Sequence, residues 1–129
     1  MTPFEIVQWI VRVALAAAFL FMGVSHFLPR TARTMAAMIP PALRRAGIPS
    51  AIALVRLTGL CELAGGVGIL VPQVRFVAGI ALVLFLIAVF PANAYAAEHP
   101  EKFGRAAFPF WPRYFAQLGL IALCLVAIA

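Results

Sequence analysis

The fold is decided by a stretch in the middle of the chain, Arg56-Leu-Thr-Gly-Leu-Cys-Glu-Leu-Ala-Gly-Gly-Val-Gly-Ile-Leu-Val-Pro72. It is apolar enough to lie in a lipid bilayer, yet it carries an acid, Glu62, near its middle. A carboxylate at membrane depth is costly unless it is protonated, paired or facing a cavity. Glu62 is therefore the first candidate functional residue, and the other apolar segments have to supply its partners.

The composition around this stretch indicates that lipid is the solvent for most of the chain. Of the 129 residues, 65% are hydrophobic and only 11% are charged, and the mean hydropathy is +1.07. A soluble domain is usually about half apolar and about a quarter charged. Too few polar side chains remain to cover a water-soluble globule, and the length predicts a single domain, residues 1–129.

The net charge of +6 comes from ten Lys and Arg against four Asp and Glu. Because the basic residues cluster between the apolar runs, membrane topology and anionic lipid headgroups explain them better than nucleic acid does. The two cysteines, Cys61 and Cys124, both lie inside apolar runs and form no CxxC pair, so we expect small buried hydrophobic side chains and not a disulfide.

Four apolar runs predict an all-α fold, an integral membrane four-helix bundle. The first three are long enough to cross a hydrocarbon core of about 30 Å at about 1.5 Å per residue. None shows the alternation of a barrel strand, and helices satisfy their own backbone in lipid. The predicted helices cover approximately residues 4–28, 51–71, 74–97 and 112–129.

A short interfacial helix is predicted between the first two spans. Met35, Met38 and Ile39 fall at i, i+3 and i+4, whereas Arg30 and Arg33 lie on another face. The following Ile39-Pro40-Pro41 ends the helix, because proline cannot continue it without loss.

The basic residues predict the orientation. Both long loops are basic, whereas the opposite side of the membrane has only Arg75 and the free N-terminus. The positive-inside rule therefore places both long loops in the cytoplasm and both termini outside. The loop residues that carry this prediction are Arg30, Arg33, Arg44 and Arg45 after the first span, and Lys102, Arg105 and Arg113 after the third.

An intramembrane charge pair between Arg12 and Glu62 is predicted from depth. If each span is centred in the bilayer, Arg12 lies about 6 Å toward the outer side and Glu62 within about 2 Å of the centre. Adjacent antiparallel helices could then pair the two charges. Three interpretations stay open: a static ion pair that fixes helix register, a titrating or ligand-binding pair, and two side chains that snorkel apart.

A second polar cluster is predicted at the cytoplasmic ends of the helices, where all four spans place a hydrogen-bonding group at a similar depth. A single histidine at a helix end is more often an ordinary interfacial residue than a ligand. Groups from four helices at one level make a small-molecule pocket an equal alternative. The candidate ligand-binding residues are His26, Arg56, Asn93, Arg113 and Gln117.

Motifs for a metal or an autonomous active site are not found. His26 and His99 are the two histidines, and no two ligands stand at helical spacing, so we predict no metal site. The chain has no dinucleotide-binding, P-loop or nucleophile-elbow motif, and no catalytic residue can be assigned. Gly65 and Gly66 lie within a span, and we interpret them as helix-packing residues.

Four segments stand in order and with sensible spacing over most of the chain: Gly23-Val-Ser-His-Phe27, Met38-Ile-Pro-Pro41, Thr58-Gly-Leu-Cys-Glu-Leu-Ala-Gly-Gly66 and Val89-Phe-Pro-Ala-Asn-Ala-Tyr95. They resemble the DoxX family of small bacterial four-helix membrane proteins. The Arg113-x-x-x-Gln117 start of the last span is also similar, although that family often has proline at the place of Phe115.

The resemblance implies a protein of the bacterial inner membrane. It also implies a signature site at Arg12, His26, Glu62 and Asn93, without a proven chemistry. Some DoxX relatives are associated with thiosulfate:quinone oxidoreductase, and others with membrane redox and thiol-stress complexes. Distant relatives act in cargo handling or receptor assembly.

Together these observations predict a subunit of a membrane redox or stress-protection complex that binds a small, quinone-like ligand without a covalent cofactor. His26 and Asn93 would hydrogen-bond the ligand head, while Glu62 and Arg12 would carry or stabilise protons. Any enzymatic role would be that of a subunit in a quinone-linked oxidoreductase. The expected partners are the lipid bilayer, redox-protein subunits or further copies of the chain.

Two other functions are retained as alternatives. The first is a non-catalytic membrane scaffold or assembly partner, whose polar residues only fix helix packing. The second, a small-solute or proton pathway, is less favoured because a single four-helix bundle offers no inverted repeat.

Overall fold

The computed structural model describes residues 1–40, 50–99 and 109–129, which form five helices and no strand. Four of the helices are long and apolar enough to cross a membrane. Their ends differ from the predicted ranges by no more than three residues. The helices are α1 (Pro3–Ser25), α2 (Pro29–Ala37), α3 (Ala51–Leu70), α4 (Arg75–Glu98) and α5 (Phe110–Ile128).

Local sequence signals set the helix ends. Thr2 caps α1 in a reciprocal capping box, in which its hydroxyl accepts from the Glu5 N–H at 3.2 Å and Glu5 Oε2 accepts from the Thr2 N–H at 3.1 Å. Ser50 caps α3 by accepting from the Ala53 N–H. The first span ends at Ser25 and not near Leu28, because residues 26–28 form a turn before Pro29 begins α2.

The four long helices pack as a ring. α1 contacts α3 and α5, and α4 contacts the same two helices from the other side. Helices that are neighbours in the ring run antiparallel, as expected for an up-down-up-down bundle. Cys124 is fully buried in the core, whereas Cys61 is exposed, and both thiols are free. The main core side chains are Leu15, Phe19, Ile69, Leu82, Leu86 and Cys124.

The predicted short helix is confirmed as α2. Ala32 and Ala36 are buried against Val55 of α3, while Arg30 and Arg33 are exposed. Its location at a membrane surface stays a prediction. Two predictions rest on residues outside the described ranges. These are Pro41, which was predicted to help end this helix, and the loop residues Arg44, Arg45, Lys102 and Arg105, which support the predicted orientation.

Glycines set the register between α1 and α3. A Cβ added at Gly59 would lie 2.8 Å from His26 Cβ, and one added at Gly66 would lie 3.3 Å from Phe19 Cβ. The absence of these side chains lets the two helices approach closely. The first half of α3 therefore lies beside the last turn of α1, and the end of α3 lies near the middle of α1. The N-terminal turns of α1 project past α3 and pack against α5.

Candidate functional site

The candidate site is a buried pair formed by His26 and Glu62. Glu62 lies on the face of α3 that contacts α1, and His26 is the residue directly after α1. Each residue is only 7% exposed. His26 Nδ1 lies 3.1 Å from Glu62 Oε2 and 2.7 Å from the carbonyl oxygen of Met22.

The two contacts of His26 Nδ1 define where its hydrogen is. Carbonyl and carboxylate oxygens both accept, so Nδ1 must carry the hydrogen and Nε2 is the nitrogen that gains or loses a proton. The nearer acceptor is the Met22 carbonyl oxygen. Glu62 Oε2 is fully buried and receives no hydrogen bond from the described residues. The acid is thus held beside an imidazole while one of its oxygens keeps unused hydrogen-bonding capacity.

The backbone of α3 makes room for this pair. Gly59 stands one turn before Glu62 on the same face of the helix, and a Cβ there would meet His26 Cβ at 2.8 Å and a ring carbon of Phe27 at 2.9 Å. Since any larger residue would displace the turn that follows α1, Gly59 positions His26 against Glu62.

The electrostatics of the pair favour a protonated imidazole. His26 lies beyond the last residue of the spanning segment Pro3–Ser25. Burial alone lowers the pKa of His26, but the Glu62 carboxyl group and the Met22 carbonyl outweigh burial, so the pKa is raised above its ordinary value. At neutral pH the pair therefore has more charged character than an isolated histidine would give.

The predicted ion pair between Arg12 and Glu62 is not formed, and this prediction is corrected. Glu62 pairs with His26, and Arg12 donates its Nε hydrogen to the carbonyl oxygen of Ala127 at 2.8 Å. The prediction centred each span in the bilayer, but the glycine contacts shift α3 along α1. Glu62 consequently lies level with about Met22, which is ten residues and about 15 Å from Arg12 along the helix axis.

Arg12 belongs to a polar group at the opposite end of the bundle. Gln8 Nε2 donates to the carbonyl oxygens of Val126 at 3.0 Å and Ala129 at 2.9 Å. The guanidinium carbons of Arg12 and Arg75 each lie 5.0 Å from the centre of the Trp9 ring. Neither Trp9 nor Arg75 was predicted to take part in a site. The signal available in the sequence was the i, i+4 spacing of Gln8 and Arg12 on one face of α1.

The predicted second cluster is formed only in part. Arg113 Nη1 donates to Asn93 Oδ1 at 3.0 Å, which joins the start of α5 to the end of α4. Arg56 is exposed, Gln117 is half-buried, and neither makes a hydrogen bond within the described ranges. Thus the Asn93–Arg113 bond and the His26–Glu62 pair are separate contacts on different helix pairs.

Two apolar grooves lie on the surface of the bundle, and neither is lined by His26, Glu62 or Asn93. The predicted ligand pocket therefore stays a prediction. Within the described ranges, no three His, Cys, Asp or Glu side chains come together as a possible metal site. Gly65 and Gly68 face α4 at Leu82 and Ala78, in agreement with a packing role for the glycine-rich part of α3.

The sequence from residue 15 to residue 128 matches the family model described as "Domain of unknown function (DUF8561)". The chain belongs to this family. The matched part contains His26, Glu62, Asn93 and Arg113, and it begins after Arg12. No curated protein and no solved structure matches the chain.

Proposed function

We propose that this chain is a multi-pass protein of the bacterial cytoplasmic membrane. The four long apolar helices support a membrane location, and the basic loops support an orientation with both termini outside. In this orientation α2 lies at the cytoplasmic surface, with its exposed Arg30 and Arg33 toward lipid headgroups.

Within that membrane protein, the His26–Glu62 pair is the binding site for a small ligand with an apolar body and a polar head, of the quinone type. The observation that carries this proposal is the buried Glu62 Oε2, which lies 3.1 Å from His26 Nδ1 and accepts no hydrogen bond from the described residues. A buried polar atom usually has a partner, because leaving it without one costs about 1–3 kcal/mol. A ligand hydroxyl would supply the missing hydrogen.

The pair suits both forms of a quinone-like head. A quinol hydroxyl can donate to Glu62 Oε2, whereas a quinone carbonyl can accept from His26 Nε2 when the imidazole is protonated. The two residues could also exchange a proton with the ligand as it changes form. Electrons would come from a partner, so the chain would act as one subunit of a DoxX-type redox or stress-protection complex.

A second candidate function is a non-catalytic scaffold, and the contacts of other polar side chains between the helices favour it. Arg12 and Gln8 bind main-chain oxygens of α5, and Arg113 binds Asn93. Each of these bonds joins two helices and has a purely structural explanation. In that case the His26–Glu62 pair would likewise hold α1 against α3 and bind no ligand.

Ligand titration of the Glu62→Gln variant separates the two functions. The protein in lipid nanodiscs is titrated with a short-chain ubiquinone analogue and with its quinol. We expect saturable binding by the wild type and about tenfold or more weaker quinol binding by Glu62→Gln, because the amide oxygen is a weaker acceptor than a carboxylate. Glu98→Gln, which removes an exposed acid at the end of α4, serves as the matched control.

Two outcomes would contradict ligand binding. The first is a wild type without saturable binding of either form, and the second is a folded Glu62→Gln variant that binds as the wild type does. The scaffold function predicts instead that Glu62→Gln lowers the melting temperature without affecting a ligand.

A further inference from the structure

A second group of residues, at the end of the bundle opposite His26, carries charge that the proposed function does not use. This basic cluster consists of Trp9, Arg12 and Arg75. Both guanidinium carbons lie 5.0 Å from the centre of the Trp9 ring, so they are no more than 10 Å apart. Arg12 is 7% exposed, which makes it a buried cation.

The hydrogen bonds of the two arginines leave several donors unused. Arg12 donates from Nε to Ala127, and Arg75 donates from Nε to Ile69 and from Nη2 to Leu70. A guanidinium group has five N–H donors. Within the described part of the chain, both terminal nitrogens of Arg12 and Nη1 of Arg75 have no acceptor.

No acid among the described residues neutralises the positive charge of the basic cluster. Neither arginine forms an ion pair within the described ranges. The acid on the same face of α1 is Glu5, and its carboxylate is held by the Thr2 N–H in the capping box. Contact with the Trp9 ring offsets only part of the charge, because a cation–π contact is weaker than a desolvated ion pair. An anion from outside the chain would neutralise this charge and accept the unused hydrogen bonds.

An apolar groove begins at the same tryptophan. It is shallow, follows the exposed face of α1, and shares Trp9 with the basic cluster. Its lining is formed by Met1, Ile6, Trp9, Ile10, Val13 and Ala14. Unneutralised guanidinium groups beside a long apolar groove are complementary to a phosphate group that is joined to a hydrocarbon chain.

We propose that Arg12 and Arg75 bind the phosphate headgroup of an anionic phospholipid, whose acyl chain lies in the groove beside Trp9. Arginine is suited to this because its planar fork can donate two parallel hydrogen bonds to phosphate oxygens. A free phosphate ion would use the same donors but would leave the apolar groove empty. The groove therefore favours the lipid as the source of the phosphate.

Fluorescence of Trp9 tests the proposal at the site itself. Trp111 is exposed on α5 and is the second of the two tryptophans, so Trp111→Phe makes Trp9 the sole reporter. The delipidated protein in neutral detergent is titrated with phosphatidylglycerol, with phosphatidylcholine of the same acyl chains, and with inorganic phosphate. We expect a saturable change with phosphatidylglycerol, at a markedly lower mole fraction than with phosphatidylcholine, and none with inorganic phosphate.

Two charge-removing variants locate the effect. Arg75→Gln keeps the bond between Arg12 and Ala127 and should weaken phosphatidylglycerol binding about fivefold. Arg56→Gln removes the same charge from an exposed position on α3 and should bind as the parent does. If melting curves show that Arg75→Gln does not fold, Arg75→Lys keeps the charge, loses the fork, and should bind more weakly than the parent.

The proposal is overturned by any of three results. Equal binding of phosphatidylglycerol and phosphatidylcholine would mean that headgroup charge is not recognised. The same change with inorganic phosphate would mean an ion site without a lipid. Equal weakening by Arg56→Gln and Arg75→Gln would mean a general effect of net charge.

Discussion

The two ends of the bundle hold their buried polar groups in different ways. In the basic cluster, Arg12 and Arg75 each donate to a carbonyl oxygen at the end of a helix, Ala127 and Ile69 respectively. At the other end, His26 donates within its own turn, and Glu62 Oε2 accepts no hydrogen bond from the described residues. One end has unused donors and positive charge, and the other has an unused acceptor.

The polar groups at one end hold helices together, whereas Glu62 at the other end keeps an acceptor that a ligand could use. The last carbonyl groups of a helix have no partner within the helix, and a cation placed there also interacts favourably with the helix dipole. The bond from Arg12 therefore joins α1 to α5, and the bonds from Arg75 join α4 to α3. The His26–Glu62 pair joins α1 to α3 as well, but it leaves an acceptor in a buried position.

Removal of His26 should have the largest effect on stability. His26→Leu leaves the Glu62 carboxyl group buried without its charged neighbour, and we expect a loss of about 3 kcal/mol. This lies at the low end of the range for a broken buried pair. Unfolding in detergent, followed by circular dichroism, measures the loss.

The double variant His26→Leu/Glu62→Gln provides the control, because it removes both charged partners together. It should recover part of the stability that His26→Leu loses. Ordinary surface substitutions change the free energy of unfolding by up to about 0.5 kcal/mol. If the free energy of unfolding of His26→Leu differs from that of the wild type by no more than this, the pair does not stabilise the bundle.

The close approach at Gly59 should give the second largest effect. The added methyl group of Gly59→Ala would meet His26 and Phe27, and overpacking of this kind costs about 1–3 kcal/mol. Gly119→Ala is the matched control, since a Cβ at Gly119 meets nothing within 4 Å. In the same unfolding assay, equal stability of the two variants would contradict the register that places Glu62 beside His26.

The smallest effect should be a pH dependence confined to the His26 end. The folded-state pKa of His26 is raised, so the pair contributes its full stability below the ordinary value of 6.5 and loses it as the pH rises through the raised value. Glu62 is the titratable group that faces His26 from α3.

The wild-type melting temperature should accordingly fall between pH 6 and pH 9 by more than that of His26→Leu. The difference between the two curves removes the contributions that both proteins share. If the melting temperatures of the two proteins fall equally with pH, the charge of His26 does not stabilise the fold.

The positions of the helices could be predicted because hydropathy, prolines and capping residues mark them directly in the sequence. Apolar runs that stop at proline or at capped turns gave the four long helices. The spacing of Met35, Met38 and Ile39 predicted a short helix at the place of α2, although α2 ends at Ala37, before two of these residues. These signals are local, so they need no knowledge of which helices meet.

The relative heights of the helices could not be predicted by the same means. Centring each span in a bilayer placed Arg12 beside Glu62, whereas the contacts of Gly23, Gly59 and Gly66 shift α3 along α1. A glycine allows another helix to approach closely, but the sequence does not show which helix that is. The sequence named both His26 and Glu62 as candidates but assigned them to different groups. It paired Glu62 with Arg12, whereas in the structure Glu62 lies beside His26, and the meeting of Trp9 with Arg75 was missed.

The bonds from Gln8 and Arg12 to α5 have a consequence for the order of assembly. The bond from Arg12 to Ala127 joins residues that are 115 positions apart, and the bond from Gln8 to Ala129 spans 121 positions. While the chain is being synthesised, α1 exists long before its partner on α5 has been made. The ring of helices thus closes with its last-made segment, and until then the buried arginine must find a temporary neighbour in lipid, in water or in the insertion machinery.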